Sequence, residues 1–113
     1  MIEITITRTG SDQIREFEIR GHAFFAERGK DIVCAGVSAV SVGTINAIHA
    51  LTGVIPEIKQ GNGFLRCVLS ENLSEDIIEK VQILLEGMVI SLQTIEEEYG
   101  KNLKITFKKR EVK

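Results

Sequence analysis

Isoleucine occupies positions 2, 4 and 6, with Glu3, Thr5 and Thr7 between them. That period of two predicts a strand with one wet face. Thr9-Gly10-Ser11-Asp12 is a turn cluster, and a second strand follows through Ile14, Phe17 and Ile19 to about Gly21. Residues 22–30 show no clean period and read as a loop. Ile32 to Thr52 then runs without proline and is apolar almost all round, a long helix. Asp31 stands where an N-cap carboxylate accepts the unpaired backbone N–H groups, and Gly53 where a C′ glycine ends the helix. Small residues recur along it: Ala35, Gly36, Ser38, Ala39, Ser41, Gly43 and Ala47. Gly36 and Gly43 each weaken a helix by about 1 kcal/mol relative to Ala. Something close must offset that, either the sheet or a second copy of the chain.

Pro56 opens a third strand, and Gly61-Asn62-Gly63 is a hairpin turn into a fourth, Phe64 to Leu69. A second helix spans about Ser74 to Tyr99. Its apolar residues Ile77, Val81, Leu84, Leu85, Met88, Leu92 and Ile95 recur at three and four, one core-facing stripe. Gly100 ends it, Leu103, Ile105 and Phe107 alternate in a fifth strand, and Lys108 to Lys113 read as a charged, frayed tail. The order β-β-α-β-β-α-β predicts an α+β fold, two helices on a mostly antiparallel five-stranded sheet. The ββα unit occurs twice without a residue-level repeat.

The 113 residues suffice for a single domain, 1–113, whose core stands without metals or disulfides. Fourteen basic against sixteen acidic residues give a net charge of −2, which argues against a general nucleic-acid binder. At 43% hydrophobic and 27% charged the chain is too apolar to be disordered. The alternating start, Met1 to Arg8, lacks the apolar core of a secretory signal. Residues such as Ser38, Ser41 and Glu86 break the longest apolar stretches, so no membrane span is expected. Two cysteines are too few for a stapled secreted scaffold. The expectation is a soluble cytoplasmic protein.

Candidate chemistry gathers at Gly21-His22-Ala23 and at Gly29-Lys30-Asp31-Ile32-Val33-Cys34-Ala35-Gly36-Val37-Ser38. A histidine at a strand end and a cysteine in the first helical turn face each other across the loop. With Asp31 as N-cap, Cys34 is the third helical residue, where free N–H groups and the helix dipole favour a thiolate. An imidazolium partner adds to this and protonates a leaving amine. The helix-start N–H groups also offer oxyanion donors. From spacing alone, a buried cysteine beside a surface histidine stands as the alternative.

This stretch resembles the signature of the ribosomal-processing cysteine proteases: G-H-A, a short loop, then G-x-D-I-V-C-A-x-V-S. The matching positions are Gly21, His22, Ala23, Gly29, Asp31, Ile32, Val33, Cys34, Ala35, Val37 and Ser38. Gly36 fills a place that takes a small residue. Element order and length are similar too, so the likeness spans essentially the whole chain. It implies an endopeptidase with Cys34 as nucleophile and His22 as general base and acid, without metal or cofactor. The implied substrate is the N-terminal extension of large-subunit ribosomal protein twenty-seven, cut near a Phe-Phe pair. A homodimer is implied as well, with no direct nucleic-acid or membrane partner. Two other classes stay open: a non-catalytic ribosome-associated peptide-binding module, and a redox-sensing thiol protein.

Asp31 has two candidate roles, capping the helix and orienting His22. Ser38, one turn after Cys34, either bonds near the dyad or fills a tight helix contact. Gly21 and Gly29 bracket the loop as hinges or as ordinary turn residues. Phe24-Phe25 either caps the core or imitates the substrate's aromatic pair in its subsites. Cys67 alternates with Leu65 and Leu69 as a core thiol. His49 sits at a helix end that favours positive charge. No close pair such as C-x-x-C exists to seed a zinc site from His22, Cys34, His49 and Cys67. Glu96, Glu97 and Glu98 read as a solvated helix face.

Overall fold

The computed structural model describes residues 1–110. Its elements are β1 (Ile2–Thr9), β2 (Ile14–Arg20), α1 (Ile32–Thr52), β3 (Glu57–Gly61), β4 (Phe64–Val68), α2 (Glu75–Tyr99) and β5 (Leu103–Arg110). The sheet order is β3-β4-β2-β1-β5, with β5 parallel to β1 and every other pairing antiparallel. The α+β fold and the element order match the expectation from periodicity.

One sheet face is covered. Ile2, Ile4 and Ile6 of β1 are buried with Ile14, Phe17 and Ile19 of β2, while Glu3 and Arg20 face solvent. Both helices feed the same core, α2 through Val81, Leu85, Met88 and Leu92, and α1 through Val33, Val37 and Ile48. Each large apolar side chain so buried contributes roughly 1.5–3 kcal/mol. Polar contacts fix the docking angle of α2. Gln82 accepts the Ile14 N–H at 2.7 Å and donates to the Ile14 carbonyl at 2.9 Å, where β1 and β2 slip register. Arg8 reaches across to Glu86, with Nη2 donating at 2.9 Å.

Three expectations change. β5 does not fray at Lys108: Lys108, Lys109 and Arg110 pair with Thr7, Arg8 and Thr9 of β1. Lys109 also meets Asp12 at 3.0 Å and Arg110 meets Glu16 at 3.3 Å, so two of the charges that suggested a tail have partners. Residues 111–113 of that tail lie outside the described residues. Glu96 is not simply solvated, because its Oε2 accepts the Ile105 N–H at 2.7 Å and so covers part of the β5 edge. Finally, α1 is long and apolar enough, by length and composition alone, to cross a membrane. Here it lies against α2 with Val33, Val37, Ser41 and Ile48 buried.

Candidate active site

β2 ends at Arg20 and the chain turns sharply at Gly21, whose φ is +89°. A Cβ there would overlap the Met1 carbonyl oxygen, so only glycine allows β2 to end against the start of β1. The Gly21 N–H donates to the Gly63 carbonyl at 2.9 Å, joining this turn to the β3–β4 hairpin. His22 follows, exposed.

Ala23 is buried, and both of its backbone polar groups are engaged. Its N–H points at Cys34 Sγ, 3.4 Å away, and its carbonyl accepts from the Asn102 amide at 3.0 Å. Phe24 then takes a left-handed conformation, φ +55°, uncommon outside glycine, with its ring 77% exposed. Phe25 turns the other way and sets its ring edge-on to Tyr99 at 5.3 Å. The pair therefore splits: one ring rests on α2 and the other stands at the site. The Phe24 ring is 6.0 Å from the His22 imidazole.

Asp31 is the N-cap of α1. Its Oδ1 accepts the Val33 and Cys34 N–H groups, each at 3.0 Å. Its Oδ2 accepts the Phe25 N–H at 2.9 Å and the Ala26 N–H at 3.4 Å. One carboxylate thus starts the helix and pins the loop that returns to it. Partial desolvation opposes its charge, but the four backbone donors outweigh that and hold the Asp31 carboxyl below the usual carboxylate range. The Ala35 N–H goes to the Asp31 carbonyl at 3.0 Å. Of the helix-start N–H groups expected to serve an oxyanion, those of Val33, Cys34 and Ala35 are committed to Asp31.

Cys34 is half-buried as the third helical residue. Two cavities meet at it, and His22, Cys34 and Ser38 line both. The smaller, about 230 Å³, has apolar walls from Ile19, Val37, Phe64 and Leu65. The larger, about 440 Å³, opens beneath Phe24 between Gly29, Asp31 and Asn62. His22, Cys34 and Ser38 thus form the wall common to the two cavities. Gly29 has φ +87° and open space where a Cβ would stand, unlike the tightly seated Gly21.

The other singled-out residues lie apart. Cys67 is fully buried on β4, where desolvation pushes its thiol up to about 12. His49 is exposed in the last turn of α1. Among the described residues no three His, Cys, Asp or Glu side chains converge to hold a metal ion. Asn102, 79 residues from Ala23, had no motif to announce it.

The family pattern described as cysteine protease Prp matches residues 1–104. The ribosomal processing cysteine protease Prp of Bacillus subtilis is 44% identical over 108 residues, covering 94% of this chain and 96% of the relative. The Staphylococcus aureus protein of the same description is 39% identical over 112 residues, covering 96% and 100%. A crystal structure of the S. aureus protease with a covalently linked product peptide superposes with a TM-score of 0.87 at 37% identity, covering 96% of this chain and 100% of that one. A second, with a substrate peptide, gives 0.81 at 36%, with the same coverage. With the pattern spanning all but the last nine residues, the chain belongs to the Prp family of cysteine proteases.

Proposed function

We propose that this protein is an endopeptidase that removes the N-terminal extension of large-subunit ribosomal protein twenty-seven, cutting near a Phe-Phe pair. The observation that carries the reading is the placement of His22 and Cys34 where the two cavities meet. The relatives' description as ribosomal processing proteases supports the substrate class.

Cys34 Sγ attacks the carbonyl carbon of the scissile bond, and its proton passes to His22. His22 then protonates the leaving amine as the C–N bond breaks, leaving the acyl group on sulfur as a thioester. Water, giving a proton to His22, hydrolyses the thioester and releases the acid, and the thiol is restored. The Ala23 N–H orients the sulfur, Asp31 holds the loop to the helix, and Ser38 supports the cleft wall. Gly29 is the hinge at which the loop yields to an entering peptide, and Gly21 is its fixed end. A narrow cleft selects an unfolded terminus over a folded protein.

The enzyme acts in the cytoplasm, where both cysteines stay reduced, and needs no cofactor. The working form is a homodimer. Ile32, Ala35, Ala39 and Val42 make an exposed, mostly apolar stripe on α1 that a second copy would cover.

Mass spectrometry of a peptide spanning a Phe-Phe pair, incubated with wild type, Cys34→Ser and His22→Ala, tests the reading. One cut by wild type and none by either variant is expected. A peptide left whole by wild type, or cut equally by Cys34→Ser, overturns it. Phe24 shares the larger cavity with the dyad whereas Phe25 rests on Tyr99, so Phe24→Ala should tighten peptide binding and Phe25→Ala should not. Unimproved affinity for Phe24→Ala removes the idea that this ring imitates the substrate.

A further inference from the structure

In the reading above, which this inference deepens, His22 must hold its imidazole at a fixed place beside Cys34. A third catalytic residue would ordinarily supply that orientation by a hydrogen bond. Asp31, the nearest candidate by sequence, spends its carboxylate on four backbone N–H groups. Among the described residues no side chain or backbone group hydrogen-bonds the His22 ring. The ring instead lies across the α-carbon of Gly63, at the end of the β3–β4 turn. A Cβ built on Gly63 would stand 2.8 Å from His22 Nε2, 3.3 Å from Cε1 and 3.4 Å from Cδ2. Three ring atoms therefore occupy the space that any side chain would need.

The wall itself is held in place. Gly63 has φ +67°, the left-handed turn conformation that favours glycine, and its carbonyl accepts the Gly21 N–H at 2.9 Å. Gly21 immediately precedes His22, so the hairpin is tied to the backbone that carries the imidazole. We infer that Gly63 is a positioning residue for His22: its bare α-carbon is the surface on which the imidazole is set. A methyl group here meets the far end of a side chain that is free to rotate. The fold survives by moving the ring off its seat.

Gly53 provides the control. It too has positive φ, +77°, as the C-cap of α1, but nothing lies within 4 Å of an added Cβ. Gly53→Ala thus carries the backbone strain alone, and Gly63→Ala carries the strain plus the ring contact. The chain has two histidines, so its imidazole Cε1–H spectrum holds two signals, with His49 as internal reference. Gly63→Ala should shift the His22 signal, leave His49 in place and lower kcat on the Phe-Phe peptide about tenfold or more. Gly53→Ala should melt earlier to a similar degree while keeping the His22 signal and kcat. An unmoved His22 signal in Gly63→Ala overturns the inference, as does a moved signal with unchanged kcat, or an equal kcat loss in both variants. If wild type fails to cut the peptide, the protease reading falls, while the spectra still decide whether Gly63 seats the ring.

Discussion

The two helices lie side by side in one layer, yet their sequences solve different problems. α2 is amphipathic, with Val81, Leu85, Met88 and Leu92 buried along one stripe, and its N-cap Ser74 makes no side-chain capping bond. Packing holds it, reinforced by Gln82, Glu86 and Glu96 on three different strands. α1 buries only Val33, Val37, Ser41 and Ile48 over 21 residues, but its first turn is tied down by Asp31 Oδ1 while Oδ2 holds the loop that returns to it. Stability is spread along α2, whereas α1 concentrates order at the end that carries Cys34. Most helical stability in proteins comes from the packed apolar face, so a helix that relies on its cap has its start shaped for another purpose.

Paired substitutions sharpen that contrast. Cys34→Ser on α1 should abolish peptide cleavage and leave the melting temperature nearly unchanged, as read by mass spectrometry and calorimetry. Leu85→Ala on α2 should do the reverse, lowering stability by about 2–5 kcal/mol while the folded enzyme keeps its kcat. A large activity loss in folded Leu85→Ala would break the division of labour.

Two carboxylates, one serving each helix, make an acid test. Asp31 is held low by backbone N–H groups, and Glu86 is held low chiefly by its hydrogen bond from Arg8. Groups whose folded-state values are depressed stabilise above their unfolded values, and that stability is lost as pH falls through the folded ones. Both contributions are therefore complete at neutral pH and disappear in acid. With Asp31→Asn, the acid step in the Phe25 and Ala26 amide resonances should vanish while the step at the α2–β1 contact remains. Disappearance of both steps in the single variant would mean the two regions open together.

The smallest expected effect belongs to Asn102→Ala. It removes one neutral hydrogen bond, about 1 kcal/mol of stability, and lowers kcat several-fold by loosening Ala23 over the sulfur. Stability lost without any change in kcat would assign Asn102 to the fold alone.

Much of this was legible in the chain. The Ile2-Ile4-Ile6 alternation, the α2 stripe, and Asp31 and Gly53 at the ends of α1 are local patterns, and each matches the structure within a residue or so. What escaped depends on contacts distant in sequence. Lys108 to Arg110 look like a tail until Asp12, Glu16 and β1 lie beside them. Gly63 reads as turn chemistry until His22 is laid on it, and no motif marks Asn102 until it meets Ala23. Of the oxyanion donors expected at the helix start, a second local fact, the reach of the Asp31 carboxylate, takes up those of Val33 and Cys34.

The most direct test of the central claim, that the chemistry resides at Cys34, is iodoacetamide labelling of the native enzyme with each cysteine quantified by mass spectrometry as activity is followed. Cys34 should be modified, with cleavage lost in proportion, while Cys67, buried with its thiol pushed up to about 12, stays unlabelled until the protein unfolds. Labelling of Cys67 first, or full activity after Cys34 is modified, would contradict the account.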